Sequence, residues 1–92
     1  MYSLVAEKRV EEIFSKLAKR DKAKMEAIAK KIDQIREDPS RFKPLHPPMK
    51  NLRRVHFDPF VLVYSVDERK KQVTLWDYDH HDKVYRKKYS TA

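Results

Sequence analysis

The 92-residue chain contains no glycine. Its turns must be built from Asp, Asn, Pro or Lys, without the residue that most readily takes positive φ. It contains no cysteine either, which excludes a disulfide framework and a thiolate metal site and fits a reducing compartment. No apolar run approaches the roughly 20 residues of a membrane-spanning helix, and the opening MYSLVAEKRV lacks the apolar core of a signal peptide. These absences predict a cytoplasmic protein with no membrane partner. Asn51 is the single asparagine, and 39% of the residues are charged. Few thermolabile side chains and many ionised ones is a thermophile's composition.

Positive charge is in excess. Lys and Arg number 22 against 14 Asp and Glu, a net +8, which favours a polyanionic partner, either nucleic acid or an acidic protein. At this length the chain forms one domain, 1–92, that buries about two-thirds of its unfolded surface. The apolar residues must therefore fall into a few well-defined stripes.

Tyr2 to Ala6 reads as a short strand. Val10, Ile13, Phe14, Leu17 and Ala18 recur at helical spacing from Lys8 onward, opposite Glu11, Glu12, Lys16 and Lys19. Asp21 offers an N-cap for a second helix, whose stripe Met25, Ile28, Ala29, Ile32 and Ile35 runs to the stop at Asp38-Pro39. The short connection makes the two an antiparallel hairpin. Ser40 to Lys50 is a basic loop, with Pro44, Pro47 and Pro48 excluding regular structure.

Leu52 to Phe57 reads as a strand with Arg53, Val55 and Phe57 on one face and Leu52, Arg54 and His56 on the other. Phe60 to Val66 is apolar on both faces, as a central strand is. Asp67 to Lys71 turns the chain, and Gln72 to Tyr78 alternates, with Val73 and Leu75 opposite Thr74 and Trp76. Asp82 to Lys88 reads as a short helix or a last strand.

The order predicts an α+β domain: an N-terminal strand, an antiparallel two-helix hairpin, then three or four sequential antiparallel strands with the helices on one face. The helix stripes and Val73/Leu75 form the predicted core. The opposite face is predicted to expose Arg54, His56, Thr74 and Trp76.

The chemistry gathers where the last strand ends, in Asp79-His80-His81-Asp82. Histidine titrates near neutral pH, so one ring as base and the other as orienter is a sensible pair. Neighbours in an extended chain point to opposite sides, so at most one of the two is expected to face a site. Asp79, His80, His81, Asp82 and His56 match no established metal-ligand spacing, and neither metal nor cofactor is expected. Trp76 and Tyr78 suit base stacking or strand packing, and packing is the expectation for Trp76. Tyr85 lies among Lys83, Arg86, Lys87 and Lys88, a cationic setting for a functional phenol or a solvated tail.

The opening strand, the basic helical hairpin, a strand of form L-x-R, the central FVLVYSVD and the final HHDKVYR resemble the RelE/ParE superfamily of toxins from type II toxin–antitoxin systems. The likeness spans nearly the whole chain in element order and is sharpest between Leu52 and Arg86. It implies a concave sheet face that holds messenger RNA in the ribosomal A site, and metal-independent cleavage by the RNA's own 2′-hydroxyl. It also implies a cognate antitoxin, which the charge predicts to be acidic. Homodimer and heterotetramer with the antitoxin are the assemblies open to it. Carried onto this sequence, Arg54 takes a basic position of the family and binds phosphate, His80 or His81 serves as base or acid, and Tyr85 orients substrate or assists proton transfer. His56, which shares the face of Arg54, is expected to bind phosphate beside it. Lys50, Arg53, Lys83, Arg86 and Lys87 complete the expected RNA-binding surface. One departure stands out: Phe60 and Val61 occupy the positions of a family tyrosine and arginine, so a phosphate-binding cation is missing. The alternatives are a ParE-like inhibitor of DNA gyrase and a non-catalytic RNA-binding member of the same fold.

Overall fold

Two helical stripes and one long hairpin set the architecture of this computed structural model, which describes residues 1–44, 52–87 and 89. Strand β1 (Ser3–Ala6) leads into α1 (Lys8–Arg20) and α2 (Lys22–Glu37). The Asp21 carboxylate accepts a hydrogen bond from the Lys24 backbone N–H at 3.1 Å and caps α2. At its other end Pro39 keeps Asp38 out of the helical region, and Pro39–Arg41 forms a single 3₁₀ turn. Strands β2 (Arg53–Phe57), β3 (Phe60–Asp67) and β4 (Gln72–His80) come next, and the short helix α3 (His81–Val84) begins where β4 stops.

The sheet order is β1-β4-β3-β2. β2, β3 and β4 pair antiparallel in sequence, while β1 pairs parallel with β4, Ser3 opposite Gln72 and Ala6 opposite Leu75. A parallel neighbour needs a crossover, which the helical hairpin provides. The predicted α+β class and element order are those observed. The glycine-free turn between β3 and β4 is held by the Asp67 carboxylate, which accepts from the Arg69 and Lys70 N–H groups. Lys71 takes the left-handed conformation there at φ 52°, a position that costs a non-glycine residue about 1–2 kcal/mol.

Between helices and sheet lie Val10, Ile28, Ile32 and Ile35 against Val55, Leu62, Tyr64, Val73, Leu75 and Tyr78. The buried Tyr64 hydroxyl donates to the Pro39 carbonyl at 2.7 Å, tying the 3₁₀ turn to the central strand. The opposite face carries a second buried cluster, Leu52, Val61, Val63 and Val84, with Trp76, Tyr85 and Tyr89 packed against it. β3 is thus covered on both sides, as its two-faced apolarity predicts. The expectation of an openly exposed second face is corrected, because α3 and the residues after it cover part of that face. Trp76 is half-buried, and its indole N–H donates to the Ser65 hydroxyl at 2.7 Å.

One irregularity redirects β4. Val63 pairs with Asp77 but Tyr64 pairs with Leu75, so Trp76 is an extra residue in the ladder, a β-bulge. Simple alternation from Val73 and Leu75 would send Asp77 and Asp79 under the helices. The bulge turns them to the other face and brings Tyr78 into the core instead. The suggestion that Tyr78 stacks on bases is corrected accordingly: its ring is buried, stacked on Phe60 at 5.3 Å and edge-on to Phe14 at 5.4 Å. No helix of the described residues is long and apolar enough to cross a membrane.

Ile28 is fully buried at the centre of the helix–sheet core. Ile28→Ala is expected to lower the unfolding free energy by about 2–5 kcal/mol. Denaturant unfolding checks this, and a wild-type midpoint would contradict the core assignment.

Candidate functional site

β2 sends Arg54 and His56 to the face away from the helices, Arg54 opposite Val63 and His56 opposite Val61. α3 then folds the chain back over that face, burying Val84 against Leu52, Val61 and Val63. Tyr85 comes directly after Val84 and meets Arg54. Arg54 Nη1 donates to the Tyr85 hydroxyl at 2.9 Å and lies 3.1 Å from His56 Nε2. The guanidinium carbon stands 5.8 Å from the Tyr85 ring centre. A guanidinium only donates, so in this contact His56 Nε2 accepts, which places the ring hydrogen on Nδ1, the atom 3.9 Å from the Asp58 carboxylate. Arg54 Nε is buried without a hydrogen-bond partner among the described residues.

Beside this group the flank of β2 forms a cleft of about 400 Å³ lined by Lys31, Arg41, Phe42, Lys43, Arg54, Val55 and His56. No acid stands among these lining residues. Lys31 Nζ and the Arg41 guanidinium lie 5.7 and 5.9 Å from the Phe42 ring centre. Arg53 faces the other way. Its Nη1 donates to the Phe42 carbonyl at 2.6 Å and holds the 40–44 segment against β2.

His80 and His81 stand where β4 ends and α3 begins. His80 sits opposite Phe60 in the ladder and meets its ring edge-on at 6.1 Å, on the helix-covered face. Its Nδ1 accepts from the Asp82 backbone N–H at 3.2 Å and caps α3. His81 Nδ1 lies 2.9 Å from the Asp82 carboxylate. The expectation that the two rings point to opposite sides is corrected. His81 is already the first residue of α3, and the ring centres are 4.6 Å apart. Donor atoms of His80, His81 and Asp82 lie within 4.8 Å of one another, close enough to share one cation.

The structure thus brings Arg54, His56 and Tyr85 together, while His81 stands one helical turn before Tyr85, whose backbone N–H donates to the His81 carbonyl at 3.2 Å. Lys83 and Arg86 are exposed, and Lys50 and Lys88 lie outside the described residues.

A third group escaped the sequence reading. Asp77 is 2% exposed, and both its oxygens are filled. Oδ1 accepts from Arg9 Nε at 3.0 Å and from the Tyr78 N–H at 2.9 Å. Oδ2 accepts from Lys87 Nζ at 2.6 Å and from the Tyr89 hydroxyl at 2.9 Å. Asp79 Oδ2 accepts from Arg9 Nη2 at 3.0 Å and from Lys87 Nζ at 2.8 Å. Lys87, expected on RNA, is held between two carboxylates. Burial pushes the Asp77 carboxyl up, but hydrogen bonds from Lys87, Arg9 and Tyr89 outweigh it and hold it below its ordinary value. Asp79 is likewise held low, burial opposing and Lys87 and the His80 N–H prevailing. An acid at the next core position of the Val73-Leu75 alternation was the one signal of this in the sequence.

Against known proteins, residues 1–85 match the family model described as ParE toxin of type II toxin-antitoxin system, parDE. The chain is similar to a Methanocaldococcus jannaschii protein named "Putative toxin RelE4", 45% identical over 96% of this chain and 95% of that protein. It is 51% identical to an uncharacterized Methanosarcina mazei protein over 92% of this chain and all of the other. Among solved structures it resembles the isolated E. coli RelE toxin, with a TM-score of 0.73 and 20% identity over 99% of this chain and 89% of that one. A chain of the intact E. coli RelBE toxin-antitoxin complex gives 0.72 at 21% identity, covering 87% and 96%. These structural likenesses show the fold.

Because the folded state holds the Asp77 and Asp79 carboxyls below their unfolded values, it binds fewer protons than the unfolded chain in acid. Their stabilisation is complete above about pH 5, clear of the unfolded carboxyl value, and is lost as pH falls through the folded values. Asp77→Asn should therefore flatten the acid limb of a stability–pH profile. Equal limbs for variant and wild type would contradict the network.

Proposed function

The chain belongs to the RelE/ParE superfamily of type II toxin–antitoxin toxins, and from that premise we propose that it is a ribosome-dependent mRNA endonuclease whose reacting groups are Arg54, His56 and Tyr85. The observation that carries this reading is one guanidinium shared by a histidine and a tyrosine on the sheet face away from the helices, beside a basic cleft. Cleavage of RNA by its own 2′-hydroxyl forms an O2′–P bond and breaks the P–O5′ bond. It needs a base for the 2′ proton, a donor for the departing 5′ oxygen and a cation for the charge on the phosphorane. When Arg54 turns to a substrate phosphate, His56 Nε2 is freed to take the proton. The Tyr85 hydroxyl, 2.9 Å from the same guanidinium, is placed to orient the phosphate or protonate the leaving oxygen. Lys31, Arg41 and Lys43 in the adjoining cleft extend the positive surface along which an RNA backbone would run.

In primer extension on translating ribosomes, His56→Ala is expected to slow cleavage by about 10²–10⁴-fold and Arg54→Ala by about 10²–10³-fold. Tyr85→Phe should cost less, because ring packing survives. Replacing His80 and His81 together by Ala should leave the rate within a few-fold. A large loss there with His56→Ala unaffected would move the chemistry to the end of the sheet. The second reading, a gyrase inhibitor, is favoured by Val61, which lies buried under Val84 where a relative's phosphate-binding arginine is expected. Gyrase inhibition without RNA cleavage by the wild type would establish it.

The proposed neutralising partner is an acidic antitoxin, for which the net charge of +8 is the support. Calorimetry with the product of the neighbouring reading frame should show binding that weakens with salt, exposed charges being screened over about 8 Å at physiological ionic strength. Salt-indifferent binding would count against a mainly electrostatic interface.

A further inference from the structure

We infer that Asp77 and Asp79 are positioning residues: through Arg9, Lys87 and Tyr89 they fasten the chain after α3 across the sheet and so hold Tyr85 against Arg54. The consequence for catalysis rests on the endonuclease reading; the fastening itself does not. α3 has four residues, far too few for a helix to stand by its own propensity. The residues after α3 must be held by tertiary contacts. Tyr85 is bracketed by two of them, Val84 buried in the second apolar cluster and Lys87 bridged to both carboxylates. Two residues further on, Tyr89 returns to the same Asp77 oxygen as Lys87.

From the other side, Arg9 reaches across the open flank of β4, which β1 leaves uncovered beyond Leu75. A buried carboxylate must be compensated by charge and hydrogen bonds together. Asp77 meets that demand with groups from α1 and from the terminal segment, so seating the segment and satisfying the acid are one event. A lysine so engaged is a strut for Tyr85, and it is not a phosphate ligand while the strut stands.

The test uses Lys87→Met and the milder Tyr89→Phe, which keeps every charge in place. Hydrogen exchange at the Tyr85, Arg86 and Lys87 amides should accelerate by about tenfold or more in Lys87→Met, and to a smaller extent in Tyr89→Phe, while the Ile28 amide keeps its protection. Unchanged exchange at 85–87 in both variants overturns the inference, whether or not the wild type cleaves RNA. Uniform acceleration, Ile28 included, overturns it in favour of a general stability role. Given wild-type cleavage, Lys87→Met should lower kcat by about 10-fold, leave ribosome binding and its salt slope unchanged, and add nothing on top of Tyr85→Phe. A salt slope reduced by about one, with additive loss, means Lys87 contacts phosphate directly and overturns the positioning role. Absence of cleavage by the wild type sinks the endonuclease reading alone, and the exchange measurement then decides this one.

Discussion

The extra residue at Trp76 governs what each face of the sheet can do. A strand alternates strictly, so one inserted residue exchanges the faces of everything after it. Before the bulge, Val73 and Leu75 look into the helices. After it, Tyr78 does, and Asp77 and Asp79 look away. Without the exchange, two carboxylates would lie under apolar helix stripes and a phenol would stand on the far face. The bulge therefore secures the helix-side core and supplies the far face with the acids that anchor the terminal segment.

The two faces divide the labour accordingly. One side is structural: Ile28, Ile32 and Ile35 from α2 meet Leu62, Tyr64 and Leu75, and the Tyr64 hydroxyl pins the 3₁₀ turn that begins the basic cleft. The other has a narrow apolar floor of Leu52, Val61, Val63 and Val84, across which Arg54, His56 and Tyr85 are laid. Val61 belongs to that floor. A buried arginine at this position would need partners of its own, and in this chain the floor provides Val84 in their place. Positive charge is supplied instead from the β2 flank, by Lys31, Arg41 and Lys43.

Much of this was legible in the sequence. The two helix stripes, the Asp21 cap, the stop at Asp38-Pro39 and the two-faced apolarity of Phe60 to Val66 each express one local rule, and each element lies where those rules put it. Arg54 with Tyr85 came from family likeness and is a contact in the structure. What escaped was non-local. His56 is 29 residues from Tyr85, and they meet through one guanidinium that no periodicity reveals. Arg9 joins Asp77 across 68 residues. The directions of the His80 and His81 rings were not legible, because a strand ends and a helix begins between the two residues. Lys87 sits in a basic stretch of the sequence, and nothing local shows that its amine meets Asp77 and Asp79.

Family membership makes the chain a type II toxin, and the working face proposed for it is the one that carries Arg54, His56 and Tyr85. The sharpest test of that assignment is an NMR titration of the isotope-labelled protein with a short single-stranded RNA, 2′-deoxy at every position so that it cannot react. The largest shifts are expected on the Arg54 Nε–H, the His56 ring and the Tyr85 ring, with smaller ones at Lys31 and Lys43 and none at Val10 or Ile28. Shifts centred on the α1–α2 surface, or on His80 and His81 with Arg54 unmoved, would contradict it.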